Sequence, residues 1–138
     1  MVDHELHPLT VIGIRQSNEQ EPPLLVMRDD LGRNLEISIG LCEALAIQLA
    51  LNKTVVGRPL THDLILSLAE HLEAKITSVI IDDFSKGTFY ARLVLETSEG
   101  EISLDCRPSD GIALAMRAEI PILAADVVMI GEEGQAEE

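Results

Sequence analysis

The strongest constraint on the fold of this chain is a pattern of short apolar runs that occurs twice. In each half a strand is followed by a hairpin and then by a helix, and a shift of about 67 residues brings the two patterns into register. The shift places residues 10–14 on 77–81 and residues 45–47 on 112–114. A duplication of this kind favours one mixed sheet with helices packed against it over two separable domains.

Alternating or continuous apolar runs bounded by turn residues predict seven strands. They lie at residues 9–15, 24–27, 34–39, 76–81, 88–97, 102–106 and 127–130. Helices are predicted from about 41 to 51, within 58–74 and from 108 to about 119. The predicted fold class is therefore α+β: a single domain with a mixed or antiparallel sheet and about three helices. We place this domain at residues 1–130, with a frayed start that contains His4 and His7, and an acidic flexible tail at 131–138.

The second predicted helix combines a polar start with an apolar stripe. Thr61 is the predicted N-cap, and Asp63 lies in the first turn, where a negative charge suits the helix dipole. The stripe consists of apolar residues at helical spacing, Leu64, Ile65, Leu68 and Leu72. We expect it to face the core.

Composition excludes several classes of protein. The chain carries 24 Asp and Glu against 10 Lys and Arg, a net charge of −14, which excludes a generic nucleic-acid coat because phosphate binding depends on cations. Its aromatic content of 2% argues against binding single strands by base stacking. No apolar run approaches the ~20 residues of a membrane span, and the first eight residues do not resemble a secretory signal. The two cysteines, Cys42 and Cys106, are expected to be buried thiols, and we expect a cytoplasmic protein.

Two Arg-Pro segments, Arg58–Asp63 and Arg107–Asp110, each join a cation, a hydroxyl and a carboxylate at a predicted helix start. The structural interpretation is capping, since Pro, Ser or Thr and Asp are all common at helix starts, together with Arg–Asp ion pairs. The functional interpretation is that Arg58 or Arg107 binds a phosphate with help from the N–H groups of the helix. Both interpretations remain open at the level of the sequence.

Carboxylates near the second segment suggest a metal site. Asp105, Asp110 and the Asp82–Asp83 pair would meet at one edge of the sheet if the strands that carry them were neighbours. Such a group could bind Mg²⁺ or Mn²⁺ and promote phosphodiester cleavage, with His62 as a proton-transfer group. The alternative is that these acids are solvated, because a chain with 24 acidic residues brings some together by chance.

Three sequence strings occur in a defined order: Arg58–Leu64, Gly87–Ala91 (G-T-F-Y-A) and Asp105–Ala115 (D-C-R-P-S-D-G-I-A-L-A). Together they resemble the bifunctional nuclease domain family, and the resemblance runs from about Leu6 to Met129. The familiar form of the last motif has Ala where this chain has Gly111, and glycine within a helix costs up to about 1 kcal/mol relative to alanine.

The resemblance implies a nuclease that acts on DNA or RNA. Its implied site comprises the polar residues of the matching motifs: His62, Asp63, Asp105, Arg107, Ser109 and Asp110. In a metal-assisted phosphodiesterase Asp105 and Asp110 would hold the Mg²⁺ or Mn²⁺, His62 would transfer a proton and Arg107 would contact phosphate.

The alternative is a non-catalytic ligand- or protein-binding module that works as an oligomer. The charge of −14 favours this alternative, because an acidic surface weakens encounter with a polyanion. We expect a homodimer formed through the apolar strand region Thr88–Leu95, and no membrane partner.

Overall fold

Seven strands form one continuous mixed sheet within residues 5–130, the part of the chain that the computed structural model describes. The strands are β1 (Leu6–Arg15), β2 (Leu24–Asp29), β3 (Asn34–Ser38), β4 (Lys75–Ser85), β5 (Thr88–Thr97), β6 (Gly100–Cys106) and β7 (Ile122–Ala125). The helices are α1 (Leu41–Leu51), α2 (Thr61–His71) and α3 (Pro108–Ala118), and residues 126–130 are also helical. The predicted α+β class, single domain and mixed sheet are confirmed.

The sheet order is β3-β2-β1-β7-β4-β5-β6. Two antiparallel three-stranded units flank β7, which runs antiparallel to β1 and parallel to β4. Each unit is followed by a helix, so the two halves share the predicted order of elements, and their origin by duplication stays a hypothesis. Because β5 lies between β4 and β6, the strands that carry Asp82–Asp83 and Asp105 are not neighbours.

The core is aliphatic and lies largely between the sheet and α3, which buries seven of its residues. Gly111 sets how closely α3 approaches β4. A Cβ at this position would lie 2.7 Å from Cγ1 of Val79, which is itself fully buried. Glycine therefore allows a helix–sheet distance that alanine, the familiar residue of the motif, would disturb.

Two local predictions were wrong at element ends. Residues 127–130 form helix rather than strand, and the last strand lies earlier, at Ile122–Ala125. The β-branched Val127 and Val128 favour a strand locally, but the helical turn buries Val128 and Met129 completely. At α2 the N-cap is Leu60, not Thr61, and the Asp63 carboxylate accepts a hydrogen bond from the Leu60 N–H at 2.9 Å.

One prediction about an apolar surface was also wrong. The stripe of Leu64, Ile65, Leu68 and Leu72 on α2 is exposed rather than facing the core. In contrast, β5 is paired on both sides, by β4 and β6, and its apolar side chains are largely buried. A dimer contact through the Thr88–Leu95 region stays a prediction.

His7 lies within β1 and is 2% exposed, so the expectation of a frayed segment there was wrong. His4 and the predicted acidic tail at 131–138 lie outside the described residues. None of the helices described is long and apolar enough to cross a membrane.

Candidate functional site

The starts of α2 and α3 bring His62, Arg107 and Asp110 into one hydrogen-bonded group. Nε2 of His62 lies 3.0 Å from Oδ1 of Asp110, and Nε of Arg107 donates to Oδ2 of Asp110 at 2.9 Å. The same guanidinium lies 3.1 Å from Oε2 of Glu43 on α1. Asp110 therefore joins a histidine from one helix to an arginine at the start of another.

The electrostatics of this group favour an ionised carboxylate. Partial burial of Asp110 works against its charged form, but hydrogen bonds from Arg107 and His62 outweigh burial and hold the pKa of Asp110 below its ordinary value. The hydrogen bond to Asp110, with support from Glu43, raises the pKa of Arg107 further. The Arg107 side chain is nevertheless 62% exposed, so part of its guanidinium can reach a ligand.

A cavity of about 720 Å³ opens beside this group. Four of the six predicted site residues line it: His62, Asp105, Arg107 and Asp110. The rest of the wall is largely apolar and is formed by α1, α2 and β6, through residues that include Leu45, Ile65 and Leu104. The cavity thus combines one polar, charged end with an apolar wall.

Cys106 completes the polar end of this cavity, where the sequence predicted only a buried thiol. Burial raises the pKa of the Cys106 thiol to about 11, and the carboxylates of Asp110, Asp105 and Asp82 add to the effect. Cys106 is therefore a protonated thiol at neutral pH and a poor nucleophile. Cys42 is exposed, contrary to expectation.

The other two predicted site residues lie apart from this group. Asp63 does not line this cavity, and its Oδ1 accepts a hydrogen bond from Nε of Arg117 at 3.2 Å. Ser109 is buried and lines a second cavity of about 490 Å³. Gly87–Phe89, from the second motif, lines this second cavity too, and Arg107 lines both cavities.

Two participants gave no clear sequence signal. Glu43, the ion-pair partner of Arg107, belongs to α1 and lies outside every motif, so only the packing of α1 against α3 brings it to the site. Arg117 lies in the last turn of α3 and pairs with Asp63 of α2. By contrast Arg58 is exposed, forms no ion pair within residues 5–130 and lines neither cavity.

The predicted metal pair of Asp105 and Asp110 is not favoured by this geometry. Both oxygens of Asp110 already face hydrogen-bond donors of Arg107 and His62, which an ion would have to displace. Among the described residues, two sets of three side chains are close enough to share a metal ion, and both sets include His7. One set is Glu5, His7 and Asp126, and the other is His7, Asp29 and Asp30.

At His7 itself the hydrogen bonding favours a charged ring over a metal ligand. Nδ1 lies 2.9 Å from Oδ1 of Asp30, and Nε2 lies 3.1 Å from Oδ1 of Asp126. The hydrogen bond with Asp30 is the main cause of a raised pKa at His7. An imidazolium donates from both nitrogens and has no lone pair to offer an ion.

Comparison with known proteins identifies the relatives of the chain. The model of the bifunctional nuclease domain matches residues 24–137. An uncharacterized protein of Mycobacterium tuberculosis (strain ATCC 25618 / H37Rv) is 41% identical over 120 residues, covering 86% of this chain and 71% of that protein. Bifunctional nuclease 1 of Oryza sativa subsp. japonica is 31% identical over 117 residues, covering 81% of this chain and 35% of that protein. The chain therefore corresponds to about a third of the rice protein.

Proposed function

The chain belongs to the bifunctional nuclease domain family, and we propose that it is a nuclease that hydrolyses phosphodiester bonds of DNA or RNA in the cavity beside His62. The observation that carries the proposal is the convergence of His62, Arg107 and Asp110 at one open cavity, from motifs separated in sequence by most of α2 and three strands. The name of the rice relative, at 31% identity, supports the same reaction class.

His62 is the proposed proton-transfer group. Its Nε2 lies 3.0 Å from Oδ1 of Asp110, and this contact orients the ring for general acid–base catalysis. Because Nε2 is held by Asp110, proton transfer with water or substrate falls to Nδ1. Asp63 is a positioning residue in this scheme, since it holds the start of α2 through Leu60 and Arg117.

Arg107 is the proposed phosphate ligand. Asp110 and Glu43 fix one side of its guanidinium, while most of the side chain stays exposed between the two cavities. A guanidinium held in this way can donate to phosphate oxygens and stabilise the charge that develops on them. Ser109, in the second cavity, is then a candidate contact for a neighbouring part of the substrate.

A divalent ion, Mg²⁺ or Mn²⁺, remains part of the proposal only as a condition to be tested. When bound it would polarise the phosphate and activate water. Asp105 is exposed at the same cavity and would be the main protein ligand, because Asp110 is engaged by Arg107 and His62. Parallel assays with each ion and with a chelator decide whether the reaction requires one.

The decisive experiment is cleavage of labelled single-stranded DNA and RNA by the purified chain and by two variants. His62→Gln is expected to lower kcat/KM by ~10²- to 10⁴-fold through loss of proton transfer. Arg107→Ala is expected to lower it by ~10²- to 10³-fold through loss of charge stabilisation.

Two matched controls accompany these variants. His71→Gln alters an exposed histidine of the same helix, and Arg58→Ala alters the arginine of the other Arg-Pro segment. Both are expected to cleave at the wild-type rate. The proposal is overturned if the wild type shows no cleavage with or without metal, or if His62→Gln cleaves as fast as His71→Gln.

A non-catalytic binding module is the second candidate, favoured by the largely apolar wall of the cavity and by the net charge of −14. It predicts that the wild-type chain has no nuclease activity under any of these conditions. The same assay therefore separates the two functions.

A further inference from the structure

The motif Gly87–Ala91 supplies no residue to the proposed reaction, yet its first three residues line the second cavity. The rest of that wall comes from the segment Glu36–Gly40, from the end of β4 and from the start of α3. The volume of about 490 Å³ lies in the range of cavities that hold small organic ligands. The second cavity can therefore hold part of a ligand directly beside Arg107.

Both phenylalanines of the chain lie at this cavity. Phe84 and Phe89 line its wall, are partly exposed, and have ring centroids 4.3 Å apart. They face each other across the β4–β5 hairpin, whose two-residue turn of Lys86 and Gly87 has positive φ at both positions. The rings are thus held in place by the hairpin before any ligand binds.

This aromatic pair can stack with one flat ligand. The aromatic content of 2% argues against a row of rings that would bind successive bases of a strand. A single base, however, needs only the face of a single ring. The concentration of both phenylalanines at one cavity therefore favours one flat ring as its occupant.

Polar side chains at the cavity can pair with the edge of such a ring. Ser109 is 6% exposed, and its hydroxyl forms no hydrogen bond with another described residue. Since every enclosed side-chain oxygen within residues 5–130 has a partner, this hydroxyl has access to the cavity that Ser109 lines. Glu36 lines the cavity too, and its Oε1 accepts a hydrogen bond from Nη2 of Arg15 at 2.8 Å. A carboxylate can accept further hydrogen bonds, so N–H groups of a ligand can bind here.

Charge determines which part of a ligand occupies the second cavity. Among the described residues that line it, Arg107 is the one cation, and Arg107 also lines the cavity beside His62. Glu36 in the second cavity would repel an anion. A phosphate is therefore expected on Arg107, and an uncharged ring in the second cavity.

We propose that the second cavity binds the base of the nucleotide whose phosphate lies on Arg107. The flat face of a base can stack on Phe84 and Phe89. Its N–H and carbonyl groups can pair with Glu36 and Ser109. The identity of the ligand rests on the proposed function, in which Arg107 is the phosphate ligand. The substrate class is then single-stranded nucleic acid, because a base in a duplex must be unpaired and unstacked before it can enter a cavity.

The test measures binding without cleavage, by calorimetric titration of the chain with AMP and with ribose 5-phosphate, which lacks a base. AMP is expected to bind roughly 5- to 100-fold more tightly, as one stacked base contributes. Phe84→Leu is expected to weaken AMP binding by at least ~5-fold and to leave ribose 5-phosphate binding unchanged. Ser109→Ala is expected to weaken AMP binding by about 2- to 10-fold through loss of a hydrogen bond.

Tyr90→Leu is the matched control, because Tyr90 is the remaining aromatic residue of the chain and does not line the second cavity. It is expected to bind AMP as the wild type does. AMP that binds no more tightly than ribose 5-phosphate, or not at all, overturns the proposal. So does a Phe84→Leu variant, folded by circular dichroism, that binds AMP as tightly as Tyr90→Leu. If Phe84→Leu does not fold, unchanged AMP binding by Ser109→Ala overturns it instead.

A cleavage assay separates this proposal from the nuclease reaction itself. The wild type is expected to cleave single-stranded DNA faster than the same strand in a duplex. Equal rates on the two substrates would contradict a base held in the second cavity. A wild type that cleaves neither substrate refutes the nuclease reaction alone, because the titration with AMP decides on the base site without any cleavage.

Discussion

Asp110 is the residue through which the parts of the candidate site are connected. It accepts hydrogen bonds from Arg107 of its own segment and from His62 of α2, and it remains ionised because those bonds outweigh its partial burial. The structural interpretation of the Arg-Pro segment, an ion pair at a helix start, is therefore correct for Arg107. The functional interpretation is not displaced by it, because the same ion pair holds the guanidinium at the mouth of the cavity.

The thiol of Cys106 reports on the charges of this site without any assay of activity. In a Cys42→Ser background, alkylation of Cys106 is expected to be slow near neutral pH and to rise only toward its pKa of about 11. Asp105→Asn is expected to lower that pKa, because it removes one of the carboxylates that repel the thiolate. The measurement is the rate of iodoacetamide labelling against pH.

The control for this experiment is Asp83→Asn, which removes an exposed carboxylate that has no part in the Cys106 shift. It is expected to leave the labelling profile unchanged. Rapid labelling of Cys106 at the pH of an ordinary thiol would contradict the description of the site.

Sequence reasoning named residues that the structure brings together, but it did not find all of their partners. His62, Arg107 and Asp110 are polar residues of the motifs that carry the family resemblance, and the Arg-Pro segment and the nearby carboxylates suggested phosphate chemistry independently. Glu43 was not predicted, because its pairing with Arg107 depends on how α1 packs against α3, and no local pattern encodes that contact. Tertiary packing likewise separates Ser109 and Asp63 from His62, although all three lie in the matching motifs.

At the scale of elements, helices and strands were predicted well where the hydrophobic periodicity and the flanking turn residues indicate the same structure. The bounds of α1 and β5 match the prediction. In β5, apolar and polar residues alternate and a glycine-containing turn lies at each end, while α1 is a continuous run of helix-forming residues. The error at 127–130 arose where β-branched residues favour a strand but burial against the core favours helix. Which face of α2 is buried could not be predicted, because its stripe packs against nothing within the described part of the chain.

The contact between α3 and β4 makes Gly111→Ala destabilising, although alanine is the better helix former. Alanine gains up to ~1 kcal/mol of helix propensity. Its Cβ would lie 2.7 Å from Cγ1 of Val79 and 3.2 Å from Sγ of Cys106, and overpacking of this kind costs about 1–3 kcal/mol. We expect the free energy of unfolding in urea to fall by about 1 kcal/mol.

Two further variants test the cause of this effect. Val79→Ala added to Gly111→Ala is expected to cost less than Val79→Ala alone, since the new methyl group occupies part of the space that is freed. Gly57→Ala is the control, because a Cβ added at Gly57 would meet no atom within 4 Å. A Gly111→Ala variant that is more stable than the wild type would show that the helix–sheet contact yields without cost.

At the scale of the whole molecule, acidity and apolarity are distributed in a way that the composition alone did not indicate. The net charge of −14 opposes the approach of a polyanion, so the proposed nuclease reaction would depend on the locally exposed Arg107. Several apolar residues counted in the composition are exposed on α1, α2 and β6. The composition therefore overstates the core within the described part of the chain.

His7 links the two halves of the sheet, and its charge makes their association depend on pH. The ring lies on β1 between Asp30, in the β2–β3 turn, and Asp126, directly after β7. Its pKa is raised above 6.5, chiefly by the hydrogen bond with Asp30. The stabilisation is therefore fully present below pH 6.5 and is lost as pH rises through the higher pKa of the folded state.

His7→Gln is accordingly expected to lower the free energy of unfolding more at about pH 6 than at about pH 9, because the stabilisation that depends on the charged ring is lost as pH rises through the raised pKa of the folded state. Urea unfolding of wild type and variant at the two pH values measures the difference. His71→Gln, at an exposed position on α2, is the control and is expected to have a small effect at both. A destabilisation by His7→Gln that is the same at both pH values would mean that packing, and not the charge between the two aspartates, accounts for the contribution of His7.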